Sequence, residues 1–103
     1  MSRARKIPKF DFTLEDGPKI KFPIVKLAVG GMHTLALTQA GQVYSWGCND
    51  EGALGRLGKE NSPELITGLK IRVDNISAGD SHSIAYNTET SQAFLWGLYR
   101  VSL

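Results

Sequence analysis

Residues 27–37, Leu-Ala-Val-Gly-Gly-Met-His-Thr-Leu-Ala-Leu, decide the fold because they return 49 positions later at 76–86 as Ile-Ser-Ala-Gly-Asp-Ser-His-Ser-Ile-Ala-Tyr. A second block, Gln-Val-Tyr-Ser-Trp-Gly at 42–47, returns as Gln-Ala-Phe-Leu-Trp-Gly at 92–97. Self-similarity at a fixed period indicates a repeat architecture in which each unit is one supersecondary motif. A unit of about 50 residues has the length of a propeller blade rather than of a helical hairpin.

Both copies have the residue pattern of strands. Side chains alternate along 33–38, and 43–46 is short and rich in strand-forming residues. Gly41 suits a tight hairpin turn, whereas the second copy has the longer Asn-Thr-Glu-Thr-Ser segment at 87–91, so its turn must differ. The sequence therefore predicts an all-β fold with strands at about 25–29, 34–37, 42–46, 65–67, 73–77, 83–86 and 93–96.

The repeat also divides the chain. It predicts a basic N-terminal arm with an outer strand of a preceding blade at 1–22, a first repeat at 23–72 and a truncated second repeat at 73–103. Residues 1–26 hold seven basic and three acidic residues, and the remainder holds five and seven. Such an arm can lie on nucleic acid or on an acidic protein face, or it can serve only as a solubilising tail. The candidate contacts to chromatin, meaning DNA or histones, are Arg3, Arg5, Lys6 and Lys9.

Several functional classes find no support in the sequence. Cys48 is the single cysteine, which excludes an internal disulfide and a cysteine-rich metal site. No apolar run approaches the length of a membrane span, and the basic N-terminus has no apolar stretch behind it, so we expect an intracellular protein. No carboxylate pair, nucleophile–base pair or metal cluster is readable, so we expect neither an enzyme nor a cofactor.

The block 30–37 together with 41–56 resembles the repeat of the regulator of chromosome condensation family, and 77–82 with 95–97 resembles the next repeat. The resemblance implies two blades of a seven-bladed β-propeller, incomplete as supplied. It also implies a guanine-nucleotide exchange factor for the small GTPase Ran, located in the nucleus on chromatin. Such a factor acts by binding and makes no covalent bond. The alternatives are a scaffold for chromatin or protein binding without exchange activity, and an inactive truncated product.

Asp80 is the first candidate for a functional residue. It stands where the first copy has Gly31, and a repeat position that changes between copies is less constrained by the scaffold. The resemblance places Asp80 in a loop of the GTPase-binding face, with Asp50 and Glu51 as weaker candidates. A solvated turn aspartate that accepts backbone hydrogen bonds is the alternative interpretation.

The residues that repeat without change are expected to be structural. An imidazole in each copy, His33 and His82, should hydrogen-bond a backbone carbonyl between strands or blades, because buried polar groups are paired. Glycines just before them should allow positive φ or close approach of a neighbouring chain. The tryptophans should fill the core between the blades and press against each other. The remaining positions of this set are Gly30, Gly79, Trp46 and Trp96.

Two blades leave faces that further blades would cover. Each large apolar side chain left in water forgoes roughly 1.5–3 kcal/mol, and a whole domain is stable by only about 5–15 kcal/mol. We therefore expect the chain alone to be marginally stable, oligomeric or prone to aggregation.

Overall fold

A computed structural model describes residues 20–98, which form two antiparallel sheets and no helix. The first sheet has the order β1-β2-β3-β4 and the second the order β5-β6-β7. The strands are β1 (Ile24–Val29), β2 (His33–Thr38), β3 (Val43–Gly47), β4 (Glu64–Leu65), β5 (Asn75–Ala78), β6 (His82–Asn87) and β7 (Gln92–Gly97). The all-β prediction is confirmed, and all seven predicted strands are present. Among these residues no helix could cross a membrane.

The two copies of the repeat fold in matching register. His33 pairs with Gly47 in the first sheet, and His82 pairs with Gly97 in the second. Strand β4 is shorter than expected, and β5 begins two residues later than expected. The reason for the late start is that Val73 donates its backbone N–H to Gly41, at 3.0 Å, and so links the two repeats instead of extending β5.

The hairpin turns of the two sheets differ, as the sequence predicts. In the first hairpin Gly41 adopts a φ of 83°, and its N–H donates to the Thr38 carbonyl at 2.9 Å. In the second hairpin the Asn87 carboxamide oxygen accepts the N–H groups of Glu89 and Thr90, each at 2.9 Å. Asparagine thus organises the longer turn through its own side chain.

The hydrophobic core lies between the two sheets. Strands β1 and β2 both contact β5, and Leu35 and Ile76 are almost fully buried there. At the Gly41 end, the Arg72 guanidinium bonds the carbonyls of Gln39 and Ala40 at 3.1 and 3.0 Å. The two blades are therefore joined by apolar packing and by hydrogen bonds at their rim. The core residues are Leu35, Leu37, Val43, Ile66, Val73, Ile76 and Ala85.

Strand β1 has one covered face and one exposed face. Ala28 packs on the core, and the Lys26 ammonium bonds the Asn75 side chain of β5. On the other face Val25, Leu27 and Val29 are 59%, 55% and 70% exposed, and no other described element covers them. This exposed apolar face is what a repeat that needs a further neighbour should show.

The predicted boundary between residues 72 and 73 falls in the segment that connects the two sheets. The division of the chain into an arm and two repeats stays a prediction, since most of the arm lies outside the described residues.

Candidate functional site

Three loops meet at one end of the two sheets and form a cleft of ≈ 190 Å³. They are the β1–β2 loop, the β3–β4 loop and the β5–β6 loop. The cleft brings together Asp50, Glu51 and Asp80, all three acidic residues that the sequence singled out, and each of them is exposed. Two come from the first repeat and one from the second, so the cleft exists only where the blades meet. Met32, Cys48 and Ser81 line it as well.

The acidic pair of the first repeat is carried by a braced turn. The Asn49 carboxamide accepts the N–H of Leu54 at 3.0 Å and donates to the Arg56 carbonyl at 2.9 Å. The N–H of Gly52 donates to the Asn49 carbonyl at 3.0 Å, which closes a turn at 49–52. Because Leu54 is fully buried just behind it, this turn holds its two carboxylates at a fixed place on the surface.

Arg56 is a positioning residue that sequence reasoning missed. Its guanidinium donates to the Ser45 carbonyl at 2.7 Å, to the Ser45 hydroxyl at 3.1 Å and to the Ser62 carbonyl at 3.1 Å. Burial lowers the pKa of Arg56, and the negative charges of Glu64 and Glu60 oppose this effect. An arginine stays charged at neutral pH even so. It therefore ties the middle of the β3–β4 loop, and its end at Ser62, to strand β3.

Two residues that line the cleft, His33 and Ala53, belong to a hydrogen-bond chain between the repeats. The Ser83 hydroxyl donates to the Ala53 carbonyl at 2.8 Å and is 2.8 Å from the His33 Nε2 atom. Since the hydroxyl proton is used on the carbonyl, Nε2–H is the donor to the serine oxygen. The Trp96 indole N–H donates to the same Ala53 carbonyl at 2.8 Å. This chain joins the loop with the acidic pair to the repeat that carries Asp80.

His33 is buried, with 4% of its surface exposed. Burial lowers the pKa of His33, a hydrogen bond with the His82 backbone raises it, and the positive charge of His82 lowers it again. We expected a backbone carbonyl as its partner between the blades; its partners in the second blade are the His82 backbone and the Ser83 hydroxyl.

The repeated glycines permit close approach. A Cβ atom on Gly30 would lie 2.3 Å from the Gly79 carbonyl oxygen and 2.4 Å from the His33 ring. A Cβ atom on Gly79 would lie 2.1 Å from the His82 ring. Neither glycine adopts a positive φ, so glycine is needed here for the close approach and not for a left-handed backbone.

The tryptophans hold equivalent places in the two sheets, with Trp46 paired to Thr34 and Trp96 paired to Ser83. Both are half-buried. Trp96 reaches the first repeat through the β3–β4 loop, where a Cβ on Gly55 would lie 2.6 Å from the indole nitrogen. The expected contact between the two indoles stays a prediction.

Arg3, Arg5, Lys6 and Lys9 lie outside the described residues, so their contacts stay predictions. Within residues 20–98 no group of histidine, cysteine, aspartate and glutamate side chains is arranged to hold a metal ion.

Comparisons with known proteins agree with this geometry. Residues 40–86 match the family model described as "Regulator of chromosome condensation (RCC1) repeat", and residues 24–53 match a second model with the same description. The regulator of chromosome condensation of Mus musculus is 51% identical over 80 residues, covering 75% of this chain and 19% of that protein. The guanine nucleotide exchange factor SRM1 of Saccharomyces cerevisiae is 62% identical over 39 residues, covering 38% of this chain and 8% of that protein.

Among solved structures, Prp20p from Saccharomyces cerevisiae, a protein described by its binding to Gsp1p and histones, is similar with a TM-score of 0.66. The identity is 38%, over 76% of this chain and 20% of that one. This chain spans about one fifth of the length of the mouse relative and of Prp20p. Its two sheets are two blades of a β-propeller. The two family-model matches together cover residues 24–86, and the chain belongs to the regulator of chromosome condensation (RCC1) repeat family.

Proposed function

We propose that this chain forms part of the GTPase-binding face of a guanine-nucleotide exchange factor for Ran. The observation that carries the proposal is the convergence of Asp50, Glu51 and Asp80 in one cleft at the joint of two blades. Support comes from a relative named as a guanine nucleotide exchange factor and from Prp20p, which is described as binding Gsp1p.

The chemistry of the cleft favours a basic protein surface. Three carboxylates line it, and the described lining residues include no lysine or arginine. Such a cleft attracts cationic side chains and speeds encounter with a basic partner. An exchange factor of this type binds the nucleotide-free GTPase more tightly than the loaded one, and by linkage the bound nucleotide is released.

The direct test is binding of the chain to Ran with and without nucleotide. We expect a preference for the nucleotide-free form and weaker binding at higher salt. Asp80→Asn should weaken binding about tenfold, since the loss of one close charge pair is worth roughly 1.4 kcal/mol. Glu89→Gln is the matched control, because it removes one exposed carboxylate at the other end of the sheets. Equal affinity for both forms of Ran, or equal effects of the two substitutions, would refute the proposal.

Exchange itself should need more than these two blades. We expect the chain alone not to accelerate release of labelled GDP from Ran, although a longer protein that contains it should do so. A longer protein that binds Ran but leaves GDP release unchanged would remove the exchange activity from the proposal. We expect that protein to act in the nucleus, on chromatin.

The alternative is a chromatin scaffold without exchange activity, favoured by the described binding of Prp20p to histones. In that case Arg3, Arg5, Lys6 and Lys9 would contact DNA phosphates or an acidic histone surface, and binding would fall steeply with salt. Deleting residues 1–9 should then abolish chromatin binding while leaving Ran binding unchanged. Undiminished chromatin binding after the deletion would contradict this alternative.

A further inference from the structure

Met32 is an exposed apolar residue in an otherwise tightly bonded loop. Its side chain is 73% exposed and lines the acidic cleft. The Met32 carbonyl accepts the Cys48 N–H at 2.8 Å, and the neighbouring Gly31 N–H donates to the Gly79 carbonyl at 3.2 Å. The side chain is therefore presented from a fixed backbone to solvent.

The second repeat shows that the scaffold does not require methionine at this position. Ser81 is the equivalent residue, and its carbonyl accepts the Leu98 N–H at 2.8 Å, the same bond that Met32 makes with Cys48. The backbone role is thus identical in the two repeats, while one side chain is apolar and the other polar. The backbone of these two blades therefore leaves the choice of side chain at this position open to contacts outside them.

Resting on the proposed function, we infer that Met32 is an apolar contact residue of the cleft, and that the partner surface places an apolar side chain beside a basic one. Charge complementarity calls for a basic side chain on the partner surface, because Asp50, Glu51 and Asp80 surround the cleft. Methionine suits the apolar part, since its flexible thioether side chain adapts to the surface that it meets. The partner is the nucleotide-free GTPase of the proposed function.

The test is the affinity of the chain for nucleotide-free Ran at low and at high salt. Met32→Ser introduces the residue of the second repeat and should weaken binding roughly tenfold, from the apolar burial that is lost. The loss should be the same at both salt concentrations, because apolar burial is not screened. Met32→Leu should retain affinity within about twofold.

Leu57→Ser is the matched control. Leu57 is 92% exposed and lies outside the cleft, in a groove beside Lys59 and Thr67. We expect this variant to bind like the original chain. Because Met32 and Leu57 are both exposed, neither substitution should disturb the fold.

The outcomes separate this inference from the proposed function. If Asp80→Asn weakens binding and Met32→Ser does not, the proposed function stands and the role of Met32 is refuted. If Met32→Ser and Leu57→Ser weaken binding equally, Met32 has no specific role. If the unaltered chain does not bind nucleotide-free Ran, both the proposed function and this inference fall.

Discussion

The two histidines of the repeat have the same local sequence and different surroundings. His33 is buried and hydrogen-bonded to Ser83 of the next blade. His82 holds the same register in its own sheet but is half-exposed, and its imidazole bonds no other described side chain. The comparison teaches that the repeat motif supplies the imidazole and the glycine that packs against it. Whether the imidazole is buried depends on the neighbouring blade.

The largest expected difference in stability is between substitutions at Gly30 and at Gly79. A Cβ at Gly30 meets a backbone carbonyl of the other blade, which cannot move without opening the joint. A Cβ at Gly79 meets only the half-exposed ring of His82, which can rotate away. We therefore expect Gly30→Ala to lower the free energy of unfolding by about 3 kcal/mol and Gly79→Ala by about 1 kcal/mol. Urea unfolding in a fixed concentration of stabilising osmolyte measures both; equal losses would contradict the comparison.

The serine at the joint should show a smaller difference. Ser83→Ala leaves the buried His33 Nε2 without its partner and should lower the free energy of unfolding by about 2 kcal/mol. The equivalent residue of the first repeat, Thr34, faces no such partner among the described residues. Thr34→Val should change stability by less than about 0.5 kcal/mol. Equal effects in urea unfolding would show that the joint does not depend on the hydroxyl.

The buried histidine should also make stability depend on pH. The pKa of His33 is lower in the folded chain than its ordinary value of 6.5, because burial disfavours the imidazolium. As the pH falls below 6.5, the histidine of the unfolded chain binds a proton before that of the folded chain, so the free energy of unfolding decreases. Well above pH 6.5 this contribution does not change with pH. Unfolding free energies between pH 7.5 and about pH 5.5 measure this slope. His33→Gln should remove it; an unchanged slope would assign the titration elsewhere.

The smallest effect should come from the two hairpin turns. Ser91 has a φ of 62°, whereas the turn of the first hairpin places a glycine, Gly41, at a positive φ. Ser91→Gly should raise the free energy of unfolding by about 0.5 kcal/mol, because a side chain in the left-handed region is strained. The melting temperature of the variant checks this, and a lower value would contradict it.

The fold was predictable from the sequence because its strands and turns are encoded locally. Alternation along 33–38, the glycine at 41 and the polar segment at 87–91 each act within a few residues. Asp80 was proposed because its position in the repeat changes between the copies, whereas Asp50 and Glu51 were proposed only from the family resemblance; the functional role of all three stays a prediction.

The hydrogen bonds between the two blades could not be predicted from the sequence. His33 and Ser83 are 50 residues apart, and Ala53 and Ser83 are 30 residues apart. No local pattern shows that the Ser83 hydroxyl bonds both the His33 imidazole and the Ala53 carbonyl. Arg56 was missed because its partners are carbonyls, which carry no residue-type signal, although a single arginine in a glycine-rich loop was a hint. The role of Met32 became visible only when its exposure and the matching backbone bond of Ser81 were known.

The most direct test of the account is a double-mutant cycle on His33 and Ser83, read as free energies of unfolding for His33→Ala, Ser83→Ala and the pair. If the two repeats are neighbouring blades joined by this hydrogen bond, the coupling energy should be about 1–2 kcal/mol. Additive effects, within about 0.3 kcal/mol, would contradict the joint and with it the cleft that the two blades form.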